Sequence, residues 1–117
     1  MARFRTEAKL QAAVIKKARA EFGEVWWFHP VGGPYQRPGV PDLILCVCGA
    51  FVGLELKNPH PGESETAARE RATALQEHEI RGINAAGGTG RVAVTVEEAM
   101  TAIRAAVAAR HQRETEG

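Results

Sequence analysis

The chain lacks most of the features that announce a specialised protein. It carries only two cysteines in 117 residues, which is too few for a disulfide framework. Cys46 and Cys48 stand two apart on one strand, a poor geometry for a mutual bond, and two thiols without a further pair make no zinc site. They are expected to be small buried strand residues. No apolar run approaches the roughly 18 residues of a membrane span, and no signal-peptide pattern is present, so a soluble, cytoplasmic protein is expected. An excess of one charge is also missing: a net charge of +1 is too weak to announce nucleic acid by itself, although local basic patches remain compatible with it. There is no internal repeat and no low-complexity segment. The remainder is ordinary for a globular chain, with 25% charged and 44% hydrophobic residues. The length suits one core and therefore one domain over 1–117, with 1–5 and 111–117 expected to be flexible.

The most informative stretch runs from Gly39 to Lys57. Two β-rich runs, 43–48 and 51–56, are split by Gly49-Ala50 and read as a hairpin. Side chains alternate along a strand, so Glu55 and Lys57 project the same way. A two-residue turn at Gly49-Ala50 places Asp42 opposite Lys57, and a turn one position earlier places Asp42 opposite Glu55. Both registers gather the three side chains on one face at one end. A three-residue loop without a bulge turns Asp42 to the far side. Two carboxylates a few ångströms apart suit a hard divalent cation, which offsets the repulsion that otherwise raises one carboxylate pKa. A neighbouring Lys can position a water or stabilise a phosphate, completing a set for metal-assisted phosphodiester hydrolysis. An edge hairpin with Glu55 and Lys57 as a solvated surface pair is the plainer alternative.

Around this centre the chain reads as alternating helices and strands. Thr6 is a suitable N-cap for a helix with Glu7 in its first turn and Leu10, Val14, Ala18 and Phe22 as its buried stripe. Glu7 and Gln11 flank that stripe, Lys9, Lys16, Lys17 and Arg19 fall largely elsewhere, and Gly23 stops the helix. Spacing alone makes Glu7 a solvated first-turn residue. The run 25–29 is a strand whose Trp26 and Trp27 are expected in the core on its two faces, in preference to stacking on DNA. His29 ends that strand, either near the site or in a structural role. A loop rich in Gly and Pro follows, in which Gly32 and Gly33 allow close approach to a phosphate and Tyr35, Gln36 and Arg37 suit backbone contacts. A plain connector is the alternative. Residues 58–65 read as a mobile loop. One long helix is expected over 66–86, with Ala72, Leu75, Glu79, Ile83 and Ala86 along one side and Gln76 on its inner half. A strand over 90–94 and a helix opened by the capping box of Thr95 and Glu98 complete the order.

The residues Pro41-Asp42 and Glu55-Leu56-Lys57 resemble the PD-(D/E)xK nuclease signature. With Arg37-x-Gly39 ahead of them and Gln76 behind, the ordered set is similar to the short, stand-alone form of the VRR-NUC family, from about Glu7 to Ile103. The resemblance implies an α/β fold with a restriction-endonuclease-like core, a mixed sheet flanked by helices in the order αβββαβα. It also implies a Mg²⁺- or Mn²⁺-dependent DNA endonuclease of phage or bacterial type. Asp42 and Glu55 would then ligate the metal, with the Leu56 carbonyl and Glu7 as further ligands. Lys57 would handle the attacking water and Gln76 would assist. Arg37, Gln11, Gly33 and Tyr35 would contact DNA. Stand-alone members are similar to junction-resolving enzymes that work as homodimers, so branched, Holliday-junction-like DNA is the expected substrate. The alternatives are a nicking or end-processing nuclease with the same site, a catalytically silent DNA-binding module, and a small-molecule metal enzyme.

Overall fold

Apolar alternation in the strands and four-residue spacing in the helices give a single sheet sandwiched between helical layers. The computed structural model describes residues 4, 6–32, 34 and 37–116. The elements are α1 (Glu7–Phe22), β1 (Val25–Phe28), β2 (Leu43–Val47), β3 (Ala50–Leu56), α2 (Glu65–Glu70), α3 (Ala74–Ala85), β4 (Thr89–Ala93) and α4 (Val96–Glu116). The sheet has the order β1-β2-β3-β4, antiparallel except for the parallel β3–β4 pair. This is an α/β fold with a mixed four-stranded sheet flanked by helices. Among the described residues no helix is long and apolar enough to cross a membrane.

One face of the sheet is dry. Leu43, Leu45, Val52 and Leu54 are fully buried there against Leu10 and Val14 of α1 and Met100 and Ile103 of α4. The other face is only half covered: α3 lies over β3 and β4, while Trp26, Phe28 and Cys46 stay exposed. That asymmetry corrects two expectations. Trp26 is 61% and Trp27 38% exposed, so neither tryptophan is core: Trp26 lies on the face of edge strand β1 that no described helix covers, and Trp27 lies on the α1 side but only at the margin of the helix. Cys46 and Cys48 are likewise exposed, one on that bare face and the other in a turn.

The helix expected over 66–86 is two helices. Thr73 and Gln76 form a capping box, with the Thr73 hydroxyl accepting from the Gln76 N–H and the Gln76 side chain accepting from the Thr73 N–H. That box starts a new helix at Ala74, and the order becomes αβββααβα. Leu75 and Ala86, placed on the inner side by spacing, are exposed; Gln76 and Ile83, also expected there, are half-buried against the sheet together with Ile80. At the other helix start, Thr95 caps the Glu98 N–H as expected, but the Glu98 carboxylate takes the Val94 N–H. α4 then continues to Glu116, past the point where a frayed tail was expected, supported by Arg110–Glu114 and Gln112–Glu116 pairs.

The loop expected to be mobile is tied at several points. Asn58 is buried and donates its amide to the Phe4 carbonyl at 2.6 Å. The Arg71 guanidinium donates to the Asn58 carbonyl and to Glu63, and the His60 N–H donates to Glu63 as well. Phe4 itself packs against the core.

Candidate functional site

The turn decides which carboxylates meet. Val47 pairs with Ala50 and Leu43 with Leu54, so one step further along Asp42 stands opposite Glu55. This is the second of the two expected registers. Cys48 and Gly49 both take positive φ, 50° and 81°, the conformation of a primed two-residue turn that matches strand twist. A turn at Gly49-Ala50 would put a Cβ at the second such position.

Asp42 is held on both sides of its backbone. Gly39 has a φ of 86°, and a Cβ there would lie 2.6 Å from the Leu75 carbonyl oxygen, so only glycine lets this loop press against the start of α3. The His29 ring donates Nδ1–H to the Asp42 carbonyl at 2.8 Å, and Asp42 Oδ2 accepts the Leu56 N–H at 3.0 Å. His29, readable in the sequence only as a strand-end residue, therefore positions the aspartate.

Glu55 is 1% exposed. Its Oε1 receives Gln76 Nε2 at 2.8 Å and has Lys57 Nζ 3.5 Å away. Its Oε2 is buried with no hydrogen-bond partner. Desolvation, followed by the neighbouring Asp42 carboxylate, pushes its pKa up to about 8 against the weaker opposing pull of Lys57. The capping box fixes the amide of Gln76 so that its NH₂ must point to Glu55, which makes a surface-looking glutamine part of the site.

The structure sorts the remaining expected residues. Glu7 and Gln11 line one cleft of about 270 Å³ together with Ala8, His29, Asp42 and Leu56. The Glu7 carboxylate lies 3.7 Å from Arg71, a residue that spacing did not single out and that also holds Glu63. Arg37 is elsewhere: it pairs with Glu79 on α3 and borders a separate recess with Phe51, His78 and Ile83. Gly33, Tyr35 and Gln36 lie outside the described residues.

No family model, no curated protein and no solved structure matches this chain.

Whether the site suits a divalent cation rests on its own donors. Among the described residues no group of three or more His, Cys, Asp or Glu side chains converges on one point. A Mg²⁺-type site needs fewer, since one or two carboxylates suffice when water and phosphate oxygens fill the remaining positions. Asp42 and Glu55 supply that pair, and the unpartnered Glu55 Oε2 is a buried acceptor that a cation would satisfy. The donor set fits.

Proposed function

We propose that this chain is a divalent-metal-dependent deoxyribonuclease with a restriction-endonuclease-like core, of the VRR-NUC type. The observation that carries the reading is the pairing of half-buried Asp42 with fully buried Glu55, with Lys57 beside it and one glutamate oxygen left without a partner. Two carboxylates placed to repel each other cost stability, and an adjacent ammonium only partly offsets that cost. Such an arrangement is explained by a ligand that needs both.

Asp42, Glu55 and the Leu56 carbonyl would hold Mg²⁺ or Mn²⁺, with Glu7 on the cleft wall as a further ligand. The bound cation would supply Lewis-acid stabilisation of the scissile phosphate and a more acidic water. The protein's own residues do the positioning. Gln76 fixes one oxygen of Glu55 and so orients the other. His29 fixes the Asp42 backbone. Lys57 orients the attacking water and offsets charge that builds on the phosphate. Gln11 reaches the substrate from α1, and Arg37, once released from Glu79, contacts the backbone. Branched or junction DNA, cut by a homodimer, is the substrate class this reading favours, with nicks and free ends as the nearer alternative.

Labelled junction, flap, nicked and duplex DNA, each incubated with Mg²⁺, Mn²⁺ or EDTA, tests the proposal. Cleavage should require metal and should fall at least about 100-fold in Asp42→Asn and Lys57→Ala. Binding without cutting in any metal, unaltered in both variants, would instead identify a silent DNA-binding module. That second reading has its own support: a glutamate pushed up to about 8 is largely protonated, and so a poor ligand, in the metal-free protein at neutral pH.

A further inference from the structure

The cleft at Asp42 does not end there. A second recess of about 400 Å³ adjoins it, lined by Ala8, Gln11, Ala12, Ile15, Lys16, Arg19 and Trp27. The two share Ala8 and Gln11, so they form one groove between α1 and the edge strand β1. The groove is built by helical repeat: Glu7, Gln11, Ile15 and Arg19 follow each other at four-residue intervals, with Ala8, Ala12 and Lys16 alongside. Its character changes along its length. Near Asp42 it carries carboxylates; beyond Gln11 it carries Lys16, Arg19 and the Trp27 ring, and no carboxylate lines it. Lys16 and Arg19 are exposed and form no ion pair with a described residue, unlike neighbouring Lys17, which pairs with Glu97.

We propose that this groove is the seat of an unpaired DNA strand leading into the site, with Lys16 and Arg19 on its phosphates and Trp27 against a base. This assignment of substrate form rests on the nuclease reading above. Two features favour a single strand over a duplex. Two unpaired cations beside an aromatic ring form the combination that holds single strands, where charge tracks the backbone and the ring stacks on any base. In a duplex the base faces are already stacked on one another, which leaves no free face for Trp27 to meet. The groove's length sets a footprint. From Glu7 to Arg19 the helix rises roughly 18 Å, and at about 3.4 Å per stacked nucleotide that accommodates about five nucleotides.

The test is fluorescence anisotropy with a labelled 12-nucleotide single strand, in EDTA so that no cutting occurs. Lys16→Ala/Arg19→Ala should weaken binding at least about tenfold and lower the slope of log affinity against log salt by about 1.4, two contacts at roughly 0.7 each. Trp27→Ala should weaken binding about tenfold, and Trp27→Phe should restore most of it. Trp26→Ala, on the opposite face, should bind as wild type, and circular dichroism melts should show all variants folded. Wild-type affinity in both the double variant and Trp27→Ala overturns the groove, even if Mn²⁺-dependent cutting persists and the nuclease reading stands. So does a Trp27→Ala variant that loses a dimer yet keeps its affinity, which would make the β1 edge a self-association surface. Groove-dependent binding with no cutting in any metal supports the groove and removes the nuclease reading instead.

Discussion

The two faces of the sheet differ in what they are built to do. Toward α1 and α4, every described strand position from Leu43 to Leu56 that points inward is apolar and closed to water. Toward α3, the same strands carry a carboxyl pair, a lysine and a row of uncovered aromatics, with Trp26 and Phe28 stacked at 6.4 Å. Stability is concentrated on one side, and that concentration lets the other side hold groups that repel each other. Four measurements test this contrast.

The largest effect is expected on the dry face. Leu54→Ala, at a position with no exposure, should cost about 4 kcal/mol in denaturant unfolding, from lost transfer energy and a residual cavity. An effect below about 1 kcal/mol would show that the core sits elsewhere. Next is Glu55 on the opposite face. Its carboxyl ionises near 4.5 in the unfolded chain and at about 8 in the folded one, so between those values the folded state holds the extra proton. The stability this group contributes is therefore fully present below about pH 4.5 and is lost as pH rises toward about 8. Metal-free Glu55→Gln should flatten that pH dependence and be the more stable of the two proteins at pH 8. Equal slopes in the two proteins would place the proton on another group. Thr73→Ala follows. Removing the hydroxyl that accepts the Gln76 backbone N–H should cost about 1 kcal/mol and also slow cleavage, because a frayed start of α3 loosens the segment that aims Gln76 at Glu55. Smallest is Trp26→Ser on the bare face, expected within about 0.5 kcal/mol of wild type in the same melts.

These outcomes depend unequally on what could be read from residues alone. The hairpin and the convergence of Asp42, Glu55 and Lys57 were legible because strand alternation has a period of two, and both candidate turns preserve it. Whether Lys57 or Glu55 faces Asp42 was not legible, since the choice lies in the backbone of Cys48, a residue without a standing preference for positive φ. The exposure of Trp26 and Trp27 was hidden for a different reason. Their type predicts burial, but burial depends on how many helices reach the edge of the sheet, which is a tertiary property. The break before α3 could have been found: Thr73-x-x-Gln76 is a capping box, and reading it would have moved Gln76 to a helix start, where its amide is pinned. Arg71 carried no signal at all, because its partners are brought to it by two separate segments, Glu7 by α1 and Asn58 and Glu63 by the loop after β3. Lys16 and Arg19 were set aside by the buried stripe of α1, whereas the groove follows a neighbouring stripe of the same helix.

The bond from Asn58 to Phe4 spans 54 positions of chain, and that span has a temporal meaning. A ribosome adding about 5–20 residues per second makes Phe4 long before its partner exists, leaving it waiting roughly three to eleven seconds. The bond at Phe4 thus cannot form until the loop behind Lys57 has been made. By then both strands of the hairpin are already out, so Phe4 docks onto a hairpin that precedes it.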